Sequence, residues 1–401
     1  MTKGVSDGRF NPDKLTYKIY AFDKNNKPTI EVKDVAAATT TQIEFNTTQG
    51  QQHLQQYAVA AVNTAGKGRS CYSNALIVGK ADEIPFRESF SDGLSQKFEH
   101  FWWMDGEGKG YENGMSVATF DKLSADGDGS CIKLTTLGYN DKLNLNTGKI
   151  NLVKSDNLKF AFSYKTDGAP NAQLNLMVIM PGGNAMKLQT FDIRKKSDWK
   201  TTSINVPDYL SNIKGVMFRF QLEATGAPSI PQVVYIDNVN IAAAKNIDIA
   251  AGLILPEKVQ KGRRASIKVK VKNYGSSDVT AYKVTVKADD ETVFEETISE
   301  TLPAFGYKEV PVVFVTHAIA TGEYLTVTAE ASVDGDEDTT NNTAEGDIKL
   351  YEYVGNTVED LKAETTSEGV KLTWKAPIPK IENIKEDFEQ YEPWLIDNIG
   401  D

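Results

Sequence analysis

Histidine and cysteine are scarce in this chain: His53, His100 and His317 are its only histidines, and Cys71 and Cys131 its only cysteines, in 401 residues. Two cysteines cannot build a disulfide framework, so cysteine usage neither places the protein outside the cell nor keeps it inside. A serine or cysteine nucleophile needs a base beside it. The three histidines fall in three separate stretches, and neither G-x-S-x-G nor a Cys/His pair in a recognisable context occurs. H-E-x-x-H, a P-loop and a G-x-G-x-x-G following a strand are also missing, which removes zinc proteolysis and nucleotide chemistry. No catalytic residue is nominated, and the chain is expected not to be an enzyme.

Long apolar runs are absent too. No stretch approaches the ~18 residues that cross a bilayer, and Met1 is not followed by a charged-then-apolar leader. Direct membrane insertion is not expected, and the export signal of a secreted parent is expected to lie outside this sequence. Basic clusters are equally scarce: the formal net charge is −11, and no Lys/Arg patch interleaved with aromatics offsets it. A polyphosphate would be repelled, which argues against a nucleic-acid partner. Helical stripes are lacking beyond one turn at residues 208–213.

What is present is a period of two. Residues 15–22 (LTYKIYAF), 158–165 (LKFAFSYK), 173–180 (QLNLMVIM), 216–222 (VMFRFQL), 267–271 (IKVKV) and 324–329 (YLTVTA) alternate or run apolar, rich in β-branched and aromatic residues. Such segments are half-buried strands, and short strands between Gly, Asn, Asp and Pro turns predict an all-β chain of tandem β-sandwich modules with a central jelly roll. Breaks at 79–85 (GKADEIP), 242–246 (AAAKN) and 355–357 (GNT) divide it. An echo suggests an array: Glu88-Ser89-Phe90 leading to Trp102-Trp103-Met104-Asp105 recurs as Glu386-Asp387-Phe388 leading to Trp394-Leu395-Ile396-Asp397.

Several stretches resemble known modules. Residues 56–63 (QYAVAAVN) and the following turn resemble the closing strands of a fibronectin type III domain, so 1–80 reads as a partial one. Residues 369–377 (GVKLTWKAP), with Trp374, resemble the opening strands of another at 357–379. Residues 86–90 (FRESF), 235–241 (YIDNVNI) and the Trp-x-Met-Asp echo resemble the MAM-like jelly roll of cleaved-adhesin and choice-of-anchor J families, found in large secreted proteins of the Bacteroidetes. This module would occupy 84–243, with a second beginning at 384–401. Residues 268–275 (KVKVKNYG) and the acidic hairpin at 334–343 resemble a CARDB-type immunoglobulin-like module at 247–353. The resemblance implies a non-catalytic adhesion or display segment of a secreted or cell-surface bacterial protein, binding an extracellular protein or glycan through jelly-roll loops. The alternative is an accessory region of an exported protease or glycosidase. Ligand-binding residues are not assigned.

A structural calcium is expected in the jelly roll. Calcium takes six to eight oxygens, and in such jelly rolls a Glu near the first strand and an Asp near the last meet at a cation. The matching positions are Glu88 and Asp237, with Asp105 a third. Asp126-Gly127-Asp128-Gly129 reads instead as an ordinary tight turn. Asp334, Asp336, Asp338, Thr340, Asn342 and Glu345 have EF-hand spacing, but Thr339 stands where the loop needs glycine, so a solvated hairpin is expected. Trp102, Trp103 and Tyr111 read as core and rim rather than a sugar platform. The half-sandwiches at the two ends leave strand edges open, from which self-association is expected.

Overall fold

The computed structural model describes residues 16–36, 45–63, 66–68, 70–91, 98–153, 157–226, 229–316, 322–352, 359–367 and 369–375. The repeat start at 384–401 and His317 lie outside the described residues. Nearly all regular structure is strand, in line with the all-β reading. The helical pieces among the described residues are one α-turn, Lys109–Glu112, and two 3-10 turns, Asp208–Leu210 and Thr339–Asn341. None is long and apolar enough to cross a membrane.

Residues 86–243 form two antiparallel sheets around one core. The first runs Trp102–Glu107, Lys142–Thr147, Met217–Ala224, Ala172–Ile179, Ala185–Phe191. The second runs Val117–Asp121, Cys131–Thr136, Gln232–Ala243, Leu158–Thr166, Ser197–Asn205, and Phe86–Glu88 also pairs with Gln232–Ala243. Alternation turns Phe160 and Phe162 of one sheet toward Phe218 and Phe220 of the other, with ring centroids 4.9 Å apart for Phe160–Phe218 and 4.8 Å for Phe162–Phe220. All four are fully buried. Truncating one to alanine would cost about 3–5 kcal/mol.

The strand Gln232–Ala243 carries a bulge that matters for everything outside the core. Val234 and Ile236 face inward, then Asn238 takes a left-handed φ of 49°, and Val239 and Ile241 face inward again. The register opposite slips between Ala161 and Ser163, with Ala161 facing Asn240 and Ser163 facing Asp237. Strict alternation would put Asp237 and Asn240 on opposite faces; the extra residue puts both on the outer face.

Residues 249–351 form a second sandwich. Ile249–Ile254, Arg264–Asn273 and Tyr307–Val315 make a three-stranded sheet facing a five-stranded one built of Lys258–Gln260, Thr343–Tyr351, Tyr324–Ser332, Tyr282–Ala288 and Glu291–Ile298. In Arg264–Asn273, Ala265, Ile267, Val269 and Val271 enter the core, so Lys268, Lys270 and Lys272 form a row on the outer face. The acidic hairpin does not gather its carboxylates. Asp336 accepts from Ile249 N, Asp338 N and Asn342 Nδ2, and Asp338 pairs with Lys245, fastening the linker between the sandwiches.

The ends are thinner. Thr16–Phe22 lies between Pro28–Ala36 and Tyr57–Asn63 in a small sheet whose core cluster is Tyr20, Ala58 and Ala60, while Ile30 is 51% exposed. Glu359–Thr366 and Gly369–Lys375 pair only with each other among the described residues, leaving Trp374 56% exposed.

Candidate functional site

The outer face bearing Asp237 is covered by the second sandwich, and the acidic turn at 124–130 is wedged between them. Its shape comes from Ser124 and two glycines. Ser124 Oγ accepts from Asp126 N at 3.2 Å and Asp128 N at 3.1 Å, and lies 3.0 and 2.7 Å from an Oδ1 of each carboxylate. Gly127 and Gly129 take φ of 76° and 91°, which L side chains rarely adopt, and a Cβ on Gly127 would lie 3.1 Å from Glu309 of the second sandwich. The turn is pinned to the strand by Ala125 N, which donates to Asp237 Oδ2 at 2.7 Å.

The result is a group of three carboxylates. Oxygens of Asp126, Asp128 and Asp237 all lie within 4.8 Å of one another. Asp126 is 1% exposed and Asp237 fully buried. The lysine row answers from across the joint: Lys272 Nζ is 2.7 Å and Lys270 Nζ 3.6 Å from Asp126 Oδ2. Lys270 is itself buried.

The electrostatics are unbalanced. Burial raises Asp126, but the Lys272 and Lys270 ammoniums hold its carboxyl below the usual range. Burial and then the Asp126 charge push Asp128 up. Asp237 is pushed up to about 8, by burial first and by the Asp126 and Asp128 charges, against the opposing pull of the Ala125 and Asn238 N–H groups. Three carboxylates face two ammoniums, and Asp128 Oδ2 is buried without a hydrogen-bond partner. Like charges so close need either a proton or a cation. The set suits calcium: hard oxygens, two turn carboxylates and one strand carboxylate. Asp126, Asp128 and Asp237 would hold the ion, which would neutralise charge and tie turn to strand.

Of the three ligands expected from the sequence, only Asp237 belongs to this group. Glu88 pairs opposite Val239 and so shares the inward side with Phe86. Its carboxylate is occupied there, accepting from Phe90 N at 3.0 Å, His100 N at 3.2 Å and Trp102 Nε1 at 3.3 Å. Asp105 sits in the other sheet, accepting from Asn144 Nδ2 and Arg219 Nη2. The sequence reads Asp126 and Asp128 as turn residues, and they sit in a tight bend of the chain. The usable signal was Ser124-x-Asp126-Gly-Asp128-Gly, polar groups at every second position with glycine releasing the backbone between them.

The aromatic readings sort by burial. Trp102 is in the core, Tyr111 packs against it, and Trp103 is half-buried. Both cysteines are free, and Cys131 lies beneath the joint with its thiol pushed up to about 12 by burial, an unreactive state.

A family model described as CARDB matches residues 248–346, which form a CARDB domain. No curated protein matches the chain. Among solved structures, a CARDB domain from Pyrococcus furiosus, in complex with di-metal ions, is 19% identical over 27% of this chain and 91% of its own, with a TM-score of 0.24. The glycoside hydrolase domain of Endo-D from Streptococcus pneumoniae is 14% identical over 62% of this chain and 37% of its own, with a TM-score of 0.34. A structure of carbohydrate-binding modules from the β-sandwich superfamily is 13% identical over 57% of this chain and 85% of its own, with a TM-score of 0.31.

Proposed function

We propose that this chain is a non-catalytic segment of a secreted or cell-surface bacterial protein, in which two sandwiches are fused by a cation-dependent joint into one stiff display unit. The observation that carries it is the position of Asp126. It is buried between the sandwiches, pairs with Lys272 and Lys270 of the CARDB domain, and lies in the same carboxylate group as Asp128 and Asp237. A calcium ion there would neutralise the excess negative charge at the joint. The fibronectin-like ends and the jelly-roll assignment of 84–243 belong to this proposal, as does adhesion to an extracellular protein or glycan.

Arg87 reinforces the joint by lying 3.8 Å over the ring of Tyr274, a cation–π contact, with Asp248 4.0 Å away. The test is calorimetric titration of the full chain with calcium, paired with small-angle scattering in calcium and in chelator. Expected are binding that Asp237→Asn abolishes and a more extended, broader distance distribution when the ion is removed. No binding heat, no change in melting midpoint and identical scattering curves would sink the reading.

A further inference from the structure

The joint also forms a partly open cavity of about 220 Å³, and we propose that it binds a single neutral sugar ring, such as the terminal residue of a glycan. This rests on the reading of a closed joint, because the two walls come from different sandwiches.

The floor is the outer face exposed by the bulge. Asn240 and Arg87 are direct register partners there. Asn240 is 8% exposed, and its Oδ1 is buried without a hydrogen-bond partner. Arg87 Nε is buried and unpartnered beside it. Folded proteins satisfy nearly all buried polar groups, and two orphaned neighbours on one cavity wall ask for a ligand that both donates and accepts. A hydroxyl does both. Ser163 and Thr201 on the same floor share one hydrogen bond at 2.9 Å, leaving one O–H free to donate.

The roof comes from the CARDB domain and is aromatic: Tyr274, Phe305 and Tyr307, all half-buried. Arg87 already covers one face of Tyr274, so the Phe305 and Tyr307 rings are the π surface for the C–H face of a pyranose, while amide and hydroxyl groups below read its oxygens. Charge argues for neutrality. An anion would meet Asp126 and Glu99, and a cation would meet Arg87 and Lys272, all on the same walls. The volume falls below the ~300–1,000 Å³ of pockets for drug-sized ligands, which fits one ring rather than a chain.

The experiment is ligand-observed saturation-transfer NMR on the full chain, with D-glucose, D-galactose, D-mannose, N-acetyl-D-glucosamine and L-fucose as separate probes, in calcium. At least one sugar is expected to bind, with affinity reduced about tenfold by Asn240→Leu and by Ser163→Ala, the loss expected from one hydrogen bond. Asn240→Leu should at the same time leave the melting midpoint equal or higher, a combination that a purely structural asparagine would not give. Scattering on the same sample separates the two proposals. A closed joint with no sugar bound means a merely hydrated cavity and overturns this inference alone, as does binding that survives both substitutions. An open joint overturns both readings.

Discussion

Replacing Asp237 with asparagine should raise, not lower, the stability of the calcium-free chain at neutral pH. The carboxyl has a folded value of about 8 against a reference of 3.8. A raised acid holds its proton in the folded state after the unfolded state has released it. Its contribution is therefore fully present below about pH 4, drains as pH rises toward about 8, and stays lost above that. At about pH 7 the gap from the reference value is roughly three pH units, each about 1.4 kcal/mol, so keeping this carboxyl protonated in the folded state costs about 4 kcal/mol. For a sandwich of this size that is roughly 10 °C of melting temperature. The neutral amide removes the cost. In excess calcium the order should reverse, because the ion replaces the proton in the wild-type pocket and finds fewer ligands in the substituted chain. The assay is scanning calorimetry between about pH 5 and about pH 8, in chelator and in calcium, following the pH slope that linkage predicts. Parallel pH slopes for the two chains in chelator, or a lower midpoint for Asp237→Asn there, would refute the reasoning.

Three further outcomes follow from neighbouring contacts. Asp126→Ala strands Lys270 and Lys272 at the joint and should cost about 3–5 kcal/mol, read as a lower midpoint together with a broader scattering envelope; an unchanged envelope would mean the ion pairs do not hold the sandwiches. Glu88→Gln presents an amide to three N–H donors and should cost about 2 kcal/mol while leaving calcium affinity intact, so a tenfold drop in affinity by calorimetry would make Glu88 a ligand after all. Trp374→Ala should leave the melting profile unchanged, since the ring is largely exposed, but should abolish concentration-dependent dimerisation in sedimentation; dimers that persist would clear the C-terminal hairpin of that role.

Much of the fold was legible because alternation is local. The KVKVK run shows from spacing alone that valines and lysines part to opposite faces, and the Phe160/Phe162 and Phe218/Phe220 pairs are core by the same rule. The site was less legible because it depends on events that alternation does not record. Glu88 and Asp237 do lie close along paired strands, since Glu88 is opposite Val239. A period of two would keep them on one face, and the left-handed residue at Asn238, which resets the count and turns Asp237 to the other face, looks in sequence like any asparagine. Asp126 and Asp128 meet Asp237 across more than a hundred residues, and no neighbouring pattern announces a partner that distant. The orphaned amide oxygen of Asn240 is invisible for the same reason: only the approach of a second sandwich buries it.

The strand Arg264–Asn273 has a further consequence. Its inward side chains close the CARDB core while its outward ones set where the neighbouring sandwich sits. One register thus governs an interior and an exterior at once. A single-residue insertion would trade lysines for valines on both sides, ruining the core and the junction together, whereas a two-residue insertion would keep both faces and slide the contact along by one repeat of about 7 Å. The position of one sandwich along the other is therefore quantised by the pleat, and longer or shorter versions of this junction should differ in steps of two residues.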